Sequence, residues 1–286
     1  MKLIMTLLVG ALTLLPTAKP KIDGYNFKKG EKYELNVVMA QSITQSVMGQ
    51  EMLTKMNMET TELLEVVDVF GDVFTIKVTG KRRFLKMNMP NGMGETIMNS
   101  EGSEAIDKPF SIMVNKSYSM KMNRQGKVLE LIGVDEMVEA MEKELAGTQF
   151  AAQSGELLAI YSEDNLKTTM NTQFEIYPED GKREWGIHNV TVVSNIPVDV
   201  SMDMSFKDDQ TIYGEGTISM DGDISAMGMN MKAKMNGTQQ SIFDLASNGV
   251  PTKAQTIQEV SGNLDAMGQK IPMTINTEAT TTYVKL

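Results

Sequence analysis

Asp199-Val200-Ser201-Met202-Asp203-Met204-Ser205-Phe206-Lys207 alternates without a break. Val200, Met202, Met204 and Phe206 share one parity, and Asp199, Ser201, Asp203, Ser205 and Lys207 share the other. Successive side chains of a strand point to opposite faces, so this stretch predicts a strand with one buried and one wet side. The same period of two runs outward from it. Tyr33, Leu35, Val37 and Met39 alternate with Glu34, Asn36, Val38 and Ala40, and Phe74, Ile76 and Val78 alternate with Thr75, Lys77 and Thr79. Gly, Asn and Asp clusters at Phe70-Gly71-Asp72, Asn91-Gly92, Asp221-Gly222-Asp223, Asn236-Gly237 and Ser261-Gly262-Asn263 read as hairpin turns. Crossover helices between most of these runs are missing, so the strands are expected to pair antiparallel.

One amphipathic helix interrupts the pattern. Val134, Met137, Val138, Met141 and Leu145 recur at helical spacing, Glu136, Glu139, Glu142 and Lys143 face away, and Gly147 supplies a stop. A shorter helix is expected from Gly155 to Ser162, capped by Ser154. The fold class that follows is mainly β (β-rich α+β): a curved antiparallel sheet or half-barrel with one or two helices packed on it. The chain reads as one β-rich domain over 19–286. Two strand-rich halves, about 30–130 and 168–286, are joined by a helical segment over 134–162, and no Pro- or Gly-rich linker separates them.

Met1 and Lys2 precede an apolar run, Leu3 to Leu15, that ends at Pro16-Thr17-Ala18. That layout predicts a signal peptide over residues 1–18, too short for a spanning helix, with a periplasmic or secreted product. The chain has no cysteine, so there is no lipobox and no disulfide, and stability must come from burial. Loss of Lys2 with the leader leaves 26 basic residues against 37 acidic, a balance that argues against nucleic acid and anionic lipid surfaces as partners.

Methionine is heavily used, with 26 in 286 residues. Many fall in M-x-M pairs: Met56/Met58, Met87/Met89, Met120/Met122, Met202/Met204 and Met227/Met229/Met231, the last followed by Met235. Each pair places two thioethers on one sheet face, so that face is buried against something. Two readings follow. Methionine fills irregular core gaps with a flexible chain, which makes the face a packed core of a structural or assembly component. Alternatively the same deformability lines a concavity that takes a lipid, another hydrophobic molecule or an apolar segment of another envelope protein. In the second reading the binding residues are Met56, Met58, Met87, Met89, Met120, Met122, Met202, Met204, Phe206, Met227, Met229 and Met231. Thioethers also suit copper(I), but with no cysteine and one histidine no metal and no cofactor is expected.

No catalytic constellation stands out. His188 is single, Asp208-Asp209 and Asp221-Gly222-Asp223 lack the spacing of a calcium loop, and Gly92-x-Gly94 is not placed between a strand and a helix. A non-enzymatic binding role is the expectation.

Several stretches carry a resemblance. They are Phe27-Lys28-Lys29-Gly30-Glu31-Lys32-Tyr33-Glu34-Leu35 with Gln41–Gln45, then Met122-Asn123-Arg124-Gln125-Gly126-Lys127-Val128-Leu129-Glu130-Leu131-Ile132-Gly133, then Tyr177-Pro178-Glu179 ahead of Trp185, and Phe243-Asp244-Leu245 with Gly249. Together the chain resembles a family of uncharacterised exported β-rich proteins of the Bacteroidota type, a domain of unknown function. The resemblance implies an envelope β-protein and carries over no catalytic residue.

Overall fold

The computed structural model of the chain describes residues 22–286 except 48, 91–93, 194, 195, 227, 228 and 267, and omits the side chains of 156, 191–193, 196, 224–226, 229 and 230. The expected leader therefore lies outside the described residues, as do the Asn91-Gly92 turn and Met227.

Among the described residues twelve strands make one antiparallel sheet. In chain order they are β1 (Lys32–Val47), β2 (Gln50–Phe70), β3 (Val73–Asn88), β4 (Glu95–Asn99), β5 (Ser117–Asn123), β6 (Val128–Ile132), β7 (Glu184–Val193), β8 (Ile196–Phe206), β9 (Thr211–Ala226), β10 (Met229–Leu245), β11 (Pro251–Ala266) and β12 (Gln269–Lys285). Across the sheet they run β6-β5-β3-β2-β1-β12-β11-β10-β9-β8-β7, with β4 pairing the far end of β3. All neighbours but one are joined by chain order or a short excursion. The exception is β1–β12, whose ladder from Tyr33↔Lys285 to Gln45↔Met273 welds the two strand-rich halves into a single sheet.

The helices sit between those halves in sequence: α1 (Lys108–Ser111), α2 (Val134–Leu145), α3 (Ser154–Ala159) and α4 (Glu163–Phe174). The α2 helix follows the apolar spacing, with Val134, Met137, Met141 and Leu145 buried, and Gly147 at φ 87° lies just beyond its end. The second helix needs correction. Ser154 is the first residue of α3 and not its cap, and Ser162 instead caps a separate helix by accepting from the Asn165 N–H at 3.4 Å. The strands resume at Glu184, not near 168. Leu166, Met170 and Phe174 form a narrow buried stripe on α4, easily missed because threonines surround it.

The α4 helix packs on both end strands of the sheet, β6 and β7, and so bridges the opening that the half-barrel leaves. It also serves the edge chemically. Asn171 Oδ1 accepts from the Val128 N–H at 2.7 Å, and Lys167 Nζ donates to the Leu129 carbonyl at 3.0 Å. Covering an unpaired strand in this way removes a template for aggregation. The segment before β1 adds a second tie. Tyr25 N–H donates to Arg124 O and Asn26 N–H to Asn248 O, while the Tyr25 ring, fully buried, stacks on Phe27 at 5.3 Å.

Three expected turns are not turns. Gly222, Gly237 and Gly262 lie inside β9, β10 and β11, facing Ala233, Val260 and Met235 across the ladder. A Cβ on Gly237 would fall 2.6 Å from Val260 Cα, and one on Gly262 2.7 Å from Met235 Cα. On the concave side of a tightly curved sheet neighbouring strands crowd, and glycine relieves the crowding. The Phe70-Gly71-Asp72 turn does join β2 to β3, with Gly71 at φ 57°.

Candidate functional site

The concave face begins as an ordinary core. On β5, Met120 and Met122 have no exposed surface, and Ile76, Val78 and Leu64 beside them are equally enclosed. On β8, Met202 (7% exposed), Met204 (4%) and Phe206 (9%) are buried. Met202 lies opposite Gly216 and Met204 opposite Gly214, so each thioether occupies the space a neighbouring Cβ would need. The void beside Met202, Met204 and Phe243 measures only about 40 Å³. These pairs fill space.

Further along the same face the packing opens. A cavity of about 390 Å³ lies between β1–β3 and the helical layer, within the ~300–1,000 Å³ common for small-molecule sites. Five methionines line it: Met58 from β2, Met113 from the loop after α1, Met137 and Met141 from α2, and Met170 from α4. Val37, Val78, Phe110 and Leu166 complete most of the apolar wall, and Ile160, 58% exposed, stands at its rim.

Of the expected binding residues that are described, the cavity takes Met58 alone. Met56 and Met87 face one another across β2 and β3, half-buried, outside the cavity wall. Met89 falls after the end of β3 and is exposed. Met120, Met122, Met202, Met204 and Phe206 are in the packed regions just described. Met231 shares the concave parity of Met235 but sits at the opposite end of the long strands, and the side chain of Met229 is outside the described residues. Met137 and Met141 were legible as a helical stripe. Met170 was hidden with α4, and Met113 had no periodic signal at all.

Polar groups converge on one wall. In β3 the register slips between Gly80, opposite Glu62, and Arg82, opposite Thr61, leaving Lys81 as a bulge. Without it, the alternation of Phe74, Ile76, Val78 and Gly80 would carry Arg82 inward. The bulge shifts the parity, so Arg82 turns outward to Glu59 (2.6 Å) and Arg83 turns inward to Glu62, Nη2 donating to Oε1 at 2.6 Å. Burial disfavours the Arg83 charge, but the adjacent Glu62 carboxylate, with Tyr161 and Tyr118, outweighs that and holds the Arg83 pKa above its ordinary value. Gly80 lets the loop after α1 lie against β3: Gly80 N–H donates to Lys116 O, Asn115 N–H donates to Gly80 O, and a Cβ there would meet Met113 O at 2.7 Å. That contact seats Met113 in the cavity. The Tyr161 hydroxyl donates to Met113 Sδ at 2.7 Å, and the Tyr118 hydroxyl to Met170 Sδ at 3.3 Å. Burial raises both tyrosine pKa values, so both remain donors.

His188 sits on the convex face, exposed. Its Nδ1 meets both Ser201 Oγ (3.1 Å) and Asp199 Oδ1 (3.5 Å). A hydrolytic triad needs acid and nucleophile on opposite ring nitrogens, so this trio is not one. Among the described residues no group of three or more His, Asp or Glu could hold a metal ion, and no helix is long and apolar enough to cross a membrane.

A comparison with curated protein sequences finds no match. Among solved structures the chain is similar to lipovitellin, from a study of its lipid–protein interactions, at 8% identity and a TM-score of 0.49. That match covers 90% of this chain and 25% of the other, so the chain spans a quarter of the lipovitellin it matches. An outer membrane channel from Pseudomonas putida F1 matches at 9% identity over 91% of this chain and 98% of the other, with a TM-score of 0.38. The β domain of the Bordetella autotransporter BrkA matches at 8% identity over 89% and 99%, with a TM-score of 0.27. These are distant likenesses. A family model spans residues 71–249, from the β2–β3 turn to the β10–β11 turn, and takes in the bulge, all four helices and the tyrosines of the cavity. The chain belongs to that family, described as a family of unknown function (DUF6263).

Proposed function

We propose that this chain is a non-enzymatic binding protein of the cell envelope, exported by its N-terminal leader, that holds a small hydrophobic ligand in the methionine-lined cavity beneath its helices. The observation that carries this reading is the contrast within one concave face. Met120 and Met122 on β5 have no exposed surface and the void beside Met202 and Met204 on β8 is about 40 Å³, whereas Met58, Met113, Met137, Met141 and Met170 surround about 390 Å³. A deep apolar space of that size is costly to leave unfilled, since its lining forfeits dispersion contacts. Thioether side chains, unbranched and with three rotatable bonds, adjust to an apolar guest at low cost. The packed methionines on β5 and β8 serve stability and have no part in binding.

Native mass spectrometry of the protein purified from the envelope of its own cells tests the proposal. The expected result is a chain starting near Lys19 with one apolar molecule bound per chain. A chain that retains residues 1–18 in the soluble cytoplasm would refute export. A ligand-free protein that also takes up no uncharged apolar dye, such as N-phenyl-1-naphthylamine, would refute binding.

A further inference from the structure

We infer that the ligand of this cavity carries a carboxylate at one end of an apolar chain, and that Arg83, Tyr118 and Tyr161 hold that head group. The inference rests on the binding role proposed above and adds the chemistry of the ligand. Its ground is a surplus of donors. Buried polar groups in folded proteins almost always find partners, and each exception calls for an explanation. Among the described residues two buried side-chain nitrogens have no partner, and one is Arg83 Nε in the cavity wall. Tyr118 and Tyr161, both lining the same cavity, donate only to the thioethers of Met170 and Met113, which are weak acceptors. Arg83 Nε and the two hydroxyls thus face an apolar space without a strong acceptor of their own, and the lining carboxylate, Glu62, is engaged by Arg83 Nη2.

Charge points the same way. The chain as a whole carries −10, yet the cavity lining holds two cations, Arg83 and Lys116, against one carboxylate, Glu62, and Lys116 takes its partner, Glu144, from outside the lining. A guanidinium is built to receive a planar carboxylate. The Arg83 Nε–H is itself buried, so a head group reaches it only after a neighbour moves. Met113 and Met170 are suited to that. Each is a flexible side chain restrained at its sulfur by a hydroxyl, and release of that hydroxyl turns it toward the incoming oxygen.

Displacement of bound N-phenyl-1-naphthylamine by dodecanoic acid, methyl dodecanoate and dodecane tests this. The expectation is that the acid binds about tenfold or more tightly than the ester or the hydrocarbon, the worth of one charge-assisted hydrogen bond. Arg83→Met should bring the acid down to the level of the ester while leaving dodecane unchanged. Tyr161→Phe, which removes one oxygen and keeps the ring, guards against a folding defect in the arginine variant and should weaken the acid alone. Equal affinity for acid, ester and hydrocarbon in the parent protein would overturn the head-group assignment and leave the apolar site standing. Failure of all three to displace the dye, or of the dye to bind, would overturn the apolar site itself.

Discussion

Met204 and Gly214 offer a quantitative test of whether the concave face of β8 and β9 is as tightly filled as its geometry implies. Met204 is 4% exposed and lies directly across the ladder from Gly214, with its Sδ where an alanine Cβ at 214 would have to go. Met204→Ala withdraws a buried thioether chain, worth about 1.5–3 kcal/mol in transfer free energy. It also leaves a void over Gly214; a residual space of ~60 Å³ at ~24 cal/mol per Å³ adds about 1.5 kcal/mol. The sum, about 3–4.5 kcal/mol, falls in the range seen for buried large-to-alanine changes. Gly214→Ala alone should cost about 1–3 kcal/mol by overpacking against Met204 Sδ and Met202 Cε. The two changes together should cost less than their sum by about 1 kcal/mol or more, because the new methyl group occupies the space the thioether vacates. Asp203→Asn, on the exposed face of the same strand, should stay within about 0.5 kcal/mol. Urea unfolding of the four variants, with the slope m checked for constancy, measures all of this. Strict additivity, or a loss under about 1 kcal/mol for Met204→Ala, would refute the close packing of the two residues.

Two further outcomes bear on the sheet edge and on pH. Asn171→Ala should strip the Val128 N–H of its partner and cost about 1–3 kcal/mol, with hydrogen exchange quickening in β6 before the central strands; uniform protection would show that α4 does not guard that edge. Glu31 gathers the Lys285 ammonium, the Tyr33 hydroxyl and the Lys28 N–H, and although its burial works to raise its pKa, those partners hold it below the usual value. A carboxylate with a depressed folded pKa contributes stability above its unfolded pKa and loses it as pH falls through the folded one, so Glu31→Gln should lower stability near neutrality and flatten the loss on acidification. An acid limb unchanged by the substitution would assign that loss to other carboxylates.

Alternation was enough to identify a curved antiparallel sheet. The parity of Val200, Met202, Met204 and Phe206 is the parity that faces inward, and Val134–Leu145 is the helix its spacing implies. Those features are local, because a period of 2 or 3.6 residues is written into neighbouring side chains. What decided the site was not local. The β1–β12 ladder joins residues some 240 apart, from Tyr33↔Lys285 onward, and no pattern in either strand names its partner. Glycines 237 and 262 read as turns because their composition signals flexibility, whereas the crowding that demands them comes from Val260 and Met235 on adjacent strands. The bulge at Lys81 turned Arg83, not Arg82, toward the cavity, and strict alternation could not anticipate it. The methionines divided by the same logic. Alternation alone pointed most of them toward a buried face, since Met120/Met122 and Met202/Met204 flank a polar residue and are buried, whereas Met89 falls beyond its strand and is exposed. Only the packing of α2 and α4 over β1–β3 decided which of them enclose space and which fill it, because a cavity is a property of how separate elements meet and leaves no mark on the periodicity of any one of them.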